Sequence, residues 1–88
     1  MKKNKMLMLW EDLMPGDVVR FSKGARERYG YDDYFPEKLI IENVIIIPNM
    51  EIKIVINGVS FYINFDGTDA DRIFLNGPLF EIVSLKDE

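Results

Sequence analysis

Eighty-eight residues, 48% hydrophobic and 30% charged, describe one small globular domain, too short to divide and too apolar to remain disordered. The chain has neither Cys nor His, which excludes disulfide scaffolds and thiolate or imidazole metal sites and removes the side chain best suited to acid–base chemistry near neutral pH. The net charge is −4, and setting aside Lys2, Lys3 and Lys5 leaves eight basic against fifteen acidic residues, a body of −7 that repels phosphate backbones and favours a partner with a basic surface.

Residues 1–9 read as an N-terminal arm, and 10–88 as the domain. The arm has a faint resemblance to a secretory leader, with Lys2, Lys3 and Lys5 before Met6-Leu7-Met8-Leu9-Trp10. Glu11 and Asp12 end that apolar run after five residues. A leader needs ~7–15 apolar residues and a membrane span ~20. Neither is expected, and a domain without disulfides is expected in the cytoplasm. Trp10 reads as the anchor of the arm.

Pro15-Gly16 is a turn signal, and the strand expected over Asp17–Phe21 points Val19 and Phe21 inward. Ser22 can cap a short helix that runs through Tyr29 and ends at Gly30. Tyr31 to Pro36 reads as loop. Leu39–Ile47 is β-branched and ends at Pro48-Asn49, and its alternation breaks at Glu42-Asn43, which predicts a bulge or bend. The firmest signal is Asn57-Gly58 between the alternating runs Glu51–Ile56 and Val59–Phe65. A two-residue turn there sets Ile56 opposite Val59, Ile54 opposite Phe61 and Ile52 opposite Ile63, all apolar and on one face. Asp66–Asn76 is a second long connection, where Asp69-Ala70-Asp71 can start one helical turn that buries Ile73 and Phe74. Leu79–Leu85 reads as a last strand with either face inward.

Leu13-Met14-Pro15-Gly16-Asp17-Val18-Val19-Arg20-Phe21 resembles the L-x-x-G-D-x-V opening of many small bacterial and phage SH3-like domains. Leu39-Ile40-Ile41-Glu42-Asn43-Val44 resembles their second strand, and the likeness spans roughly residues 10 to 85. It implies an all-β, five-stranded SH3-like barrel with one short helix in the first long loop and a binding or adaptor role, and the function expected of the chain is that of an adaptor or inhibitor that binds another protein. It supplies no catalytic residues. An OB-type or small α+β arrangement fits the same elements.

Two segments are candidates for function. Arg26, Arg28, Tyr29, Tyr31, Asp32, Asp33, Tyr34 and Phe35 concentrate aromatics, Arg and acidic groups in a segment without strand periodicity. Tyr and Arg dominate binding hot spots because they bury much area and still hydrogen-bond. This segment is the expected partner surface, against its capping the small core. The same aromatics with Trp10 have the composition of a methyl-lysine cage. With an Arg20/Arg26/Arg28 patch they could instead stack on nucleic acid or a nucleotide. Asp66, Asp69 and Asp71 are dense in oxygen ligands, but their spacing is not that of a calcium loop and Asp-Gly is an ordinary turn, so no metal or cofactor is expected. No Gly-rich phosphate loop or nucleophile motif is present, and enzymatic activity is not expected.

Overall fold

The computed structural model describes residues 9–29, 36–71 and 77–86. A 3-10 turn at Trp10–Asp12 leads into β1 (Val18–Phe21), α1 (Lys23–Tyr29), β2 (Leu39–Ile40), β3 (Asn43–Ile47), β4 (Glu51–Ile56), β5 (Val59–Ile63) and β6 (Phe80–Ser84). The chain is mainly β, in two antiparallel three-stranded sheets ordered β2-β1-β6 and β3-β4-β5.

The second sheet is the one that the turn chemistry dictates. Asn57 (φ 52°) and Gly58 (φ 76°) both take the positive φ of a type I′ turn. The register follows as expected, with Ile56 opposite Val59, Ile54 opposite Phe61 and Ile52 opposite Ile63. Ile52, Ile54, Ile56 and Ile63 are buried, whereas Val59, nearest the turn, is exposed. Glu42 reinforces the turn from outside, its Oε1 accepting the Gly58 N–H at 2.7 Å. Phe65 lies beyond the end of β5.

Leu39–Ile47 is not one strand but two. Its first part pairs with β1 and its second with β4. The change falls where the alternation breaks: Asn43 is opposite Val55 in the register, and the preceding Glu42 N–H also bonds the Val55 carbonyl, at 2.8 Å. Two residues facing one bends the strand and lets it change sheets. The expected five-stranded closed barrel is therefore corrected to six strands in two open sheets among the described residues.

The inner faces meet in one core built from Val19, Phe21, Leu39, Ile41, the hairpin isoleucines, Leu79 and Phe80. Phe21 (β1), Phe61 (β5) and Phe80 (β6) form an aromatic triad with ring centroids 5.0–5.6 Å apart, which joins one sheet to the other. In β6, Phe80 and Ile82 pair with Phe21 and Val19, then the register slips between Val18 and Val19, so that Leu85 is also buried. That bulge is why alternation alone left both faces of Leu79–Leu85 open. α1 is capped as expected, Ser22 Oγ accepting the Ala25 N–H at 3.1 Å. Gly30, Ile73 and Phe74 lie outside the described residues, and Asp69, the expected start of a helical turn, instead bridges Ile63 and is followed by a turn at Ala70 and Asp71.

Trp10 packs against the core, its indole lying over Gly67. Gly67 has φ 90°, and a Cβ built there would overlap the indole Nε1 and Cε2. Gly67→Ala should therefore cost about 1–2 kcal/mol from the left-handed backbone alone, with displacement of the ring added. Trp10 is the chain's single tryptophan, so its emission reports the displacement directly. The expected result is a red-shifted folded-state spectrum with a lower urea midpoint; an unshifted spectrum would place the indole elsewhere.

Candidate partner-docking surface

The expected contact segment is described only at its start. Arg26 is half-buried on α1 and Arg28 exposed. Tyr29 ends the helix, and its side chain, with Tyr31, Asp32, Asp33, Tyr34 and Phe35, lies outside the described residues. What is placed is the anchor of that segment. Arg20 Nε donates to Glu81 Oε2 at 2.7 Å, and the Lys23 N–H donates to Glu81 Oε1 at 3.2 Å, fastening the start of α1 to β6. Burial pushes the Glu81 carboxyl up, but the hydrogen bonds from Arg20 and Lys23 and the charges of Arg20 and Arg26 outweigh it, so the group titrates below the ordinary carboxylate range. With both side chains more than a third exposed, the pair adds at most about 1 kcal/mol to stability. Its consequence for recognition is larger. Arg20 spends its guanidinium on Glu81, and the field of Arg26 falls on the same carboxylate, so the Arg20/Arg26/Arg28 patch offers a phosphate less than three free charges.

The carboxylates of Asp66 and Asp69 serve turns. Asp66 Oδ1 accepts the Thr68 N–H at 3.0 Å and the Thr68 hydroxyl at 2.6 Å. The hydroxyl bond, then the amide bond, hold the Asp66 carboxyl below its usual range. Asp69 Oδ1 accepts the Asp71 N–H at 2.9 Å. These are Asx-type turns, the local alternative to regular structure that short acidic side chains provide. Among the described residues, no three carboxylates gather as a metal site.

A different surface lies at the β3–β4 end of the second sheet. Pro48 and Asn49 (φ 62°) occupy the centre of a turn closed by the Met50 N–H on the Ile47 carbonyl, the positions a type II turn assigns to Pro and to a residue of positive φ. Beside it, Glu11, Ile46, Pro48, Asn49 and Phe65 line an open depression of about 560 Å³. Ile46 is opposite buried Ile52, yet at the sheet edge it stays 39% exposed, and Phe65 is 37% exposed. Leu9 and Met50 add further exposed apolar surface to the chain. Glu11 gives the rim a negative charge. Phe65 continues the alternation of Val59, Phe61 and Ile63 in the sequence, yet it stands in this depression and not in the core. A signal was present: Val44 to Ile47 is apolar at four consecutive positions, and a strand at a sheet edge lacks the second neighbour that would cover them.

The chain is thus a small, mainly β domain whose described surface holds an apolar depression with an acidic rim. Compared with known proteins, it matches no family model, no curated protein and no solved structure. Among the described residues, no helix is long and apolar enough to cross a membrane.

Proposed function

We propose that this chain is a non-catalytic protein-interaction module of SH3-like topology, working inside the cell as an adaptor or inhibitor of another protein. The strand order supports the topology: one long β segment is shared between two small antiparallel sheets, and the last strand returns to the first. The observation that carries the function is the depression formed by Ile46, Pro48 and Phe65 with Glu11 at its rim. Half-exposed large apolar groups gathered at one place, inside a polar rim, have the anatomy of a docking surface. The acidic body adds the second requirement. A partner would present an apolar anchor flanked by basic residues, with charge complementarity contributing rate and selectivity more than affinity.

The test is capture of a protein from the source cell on the immobilised chain, compared among variants and salt concentrations. Phe65→Glu places a charge in the depression at a position already partly solvated, so the fold should survive, which circular dichroism checks. A captured protein that Phe65→Glu loses, and that elutes as salt rises, supports the reading. Capture indifferent to Phe65→Glu but abolished by Tyr31→Ala or Tyr34→Ala moves the docking surface to the aromatic segment after α1. Binding of random-sequence duplex DNA at physiological salt would replace the protein partner with nucleic acid.

A further inference from the structure

The free edges of the two sheets are not equally protected. β2 is only two residues long. β5 is covered along its second half, where the Ala70 N–H donates to the Tyr62 carbonyl at 3.0 Å and Asp69 bridges Ile63. β6 carries the charged Glu81. β3 has none of these devices: Asn43-Val44-Ile45-Ile46-Ile47 contains no charge and no Pro, and among the described residues no strand pairs with its outer side. Proteins ordinarily blunt such an edge.

The hairpin dictates which groups that edge presents. In a two-residue hairpin the pair closing the turn, here Ile56 and Val59, is hydrogen-bonded, so Ile56, Ile54 and Ile52 bond to β5. Val55, Lys53 and Glu51 then bond to β3, where they are opposite Asn43, Ile45 and Ile47. Val44 and Ile46 are left directing their N–H and C=O groups outward, where the Val44 N–H is held locally by the neighbouring Asn43 Oδ1 at 2.9 Å.

We propose that this chain forms a two-fold symmetric dimer in which β3 pairs antiparallel with β3 of a second copy, joining two three-stranded sheets into one of six strands. A two-fold axis at Ile45 sets Val44 of each copy opposite Ile46 of the other, which pairs all four outward sets of N–H and C=O groups at once, the Val44 N–H exchanging the Asn43 side chain for the partner strand. Ile45 then meets its symmetry mate at a non-hydrogen-bonded position, where Cα atoms approach to ≈ 4.5 Å and side chains are closest. Moving the axis to Ile46 would instead bring Val44 opposite Pro48, which has no N–H to give. The segment is thus self-complementary in hydrogen bonding and in apolar side chains, as an isologous interface requires. Five residues of strand edge bury well short of the roughly 800 Å² per partner of a standard interface, so association is weak and concentration-dependent. Each copy carries −4, so added salt should strengthen the dimer, opposite to its effect on a basic partner.

Sedimentation velocity over a concentration series at low and high salt tests this, together with amide hydrogen exchange. The expected result is a monomer–dimer equilibrium that shifts toward dimer with concentration and with salt. The amides of Val44 and Ile46 should gain protection as the dimer forms, while those of Ile45 and Ile47 are protected throughout. Ile45→Lys changes a side chain that is 42% exposed, and Ile46→Pro removes an N–H that β4 does not use. Both should remain folded by circular dichroism and stay monomeric. A wild-type chain that is monomeric to millimolar concentration overturns the proposal. So does a dimer unaffected by both variants, or protection of the Ile46 amide in the monomer, which would mean the edge is covered within one chain.

Discussion

Phe80→Ala is expected to remove roughly 3–5 kcal/mol of unfolding free energy, the range for truncating a buried Phe. For 88 residues the whole stability is of order 4–13 kcal/mol, so the variant stands at or near the edge of folding at 25 °C. The size follows from position. Phe80 is completely buried and stacks against Phe21 at 5.0 Å and Phe61 at 5.6 Å, one ring from each sheet. Truncation leaves a cavity at the joint and forfeits two ring contacts worth about 0.5–1.5 kcal/mol each beyond their burial. Urea unfolding of the two variants Phe80→Ala and Phe65→Ala gives the contrast. Phe65 is partly exposed and should cost under about 1 kcal/mol. Similar losses at the two positions would mean that the sheets do not meet through the triad.

The hairpin was legible in the sequence because two independent constraints coincide there. Asn57-Gly58 admits one turn type, and only that turn puts Ile52, Ile54 and Ile56 on the face of Phe61 and Ile63. The helix start was legible for a similar reason, since Ser22 has one short-range use before a helical segment. Where a bulge intervenes, period-two reasoning fails by construction. It located the irregularity at Glu42-Asn43 but not its consequence, the division of one strand between two sheets. In β6 the slip beside Val18/Val19 carries both Phe80 and Leu85 inward, a parity change that no alternation rule anticipates. The depression at Ile46 and Phe65 was hidden because burial depends on what lies opposite. Ile46 and Ile52 share a face and differ only in being at the edge or in the middle of the sheet.

Asp17 is the clearest case of a residue whose importance composition conceals. Its carboxylate is fully buried. Oδ2 accepts the Met14 N–H at 2.9 Å and Oδ1 accepts the Lys86 N–H at 2.8 Å, so one side chain ties the turn before β1 to the chain after β6. Around it, the Gly16 N–H bonds the Ile41 carbonyl and the Ile41 N–H bonds the Asp17 carbonyl, both at 2.9 Å. The Gly-Asp of the opening Leu13–Phe21 motif therefore has a structural use, as the knot at which the first, second and last strands meet. Asp17→Ala strands two donors at once. Each buried unsatisfied donor costs about 1–3 kcal/mol, and because Met14 and Lys86 are not fully buried, water relieves part of this, giving an expected loss of roughly 2–4 kcal/mol. Asp17→Asn separates hydrogen bonding from packing. It keeps the shape but turns an NH₂ toward one of the two N–H groups, so it should lose more than about 1 kcal/mol although almost no volume changes. Urea midpoints measure both variants, and the amides of Met14 and Lys86 should exchange faster in each. A wild-type midpoint for Asp17→Asn would show that Asp17 only fills space, and the knot would have to be sought in the backbone bonds of Gly16 and Ile41 alone.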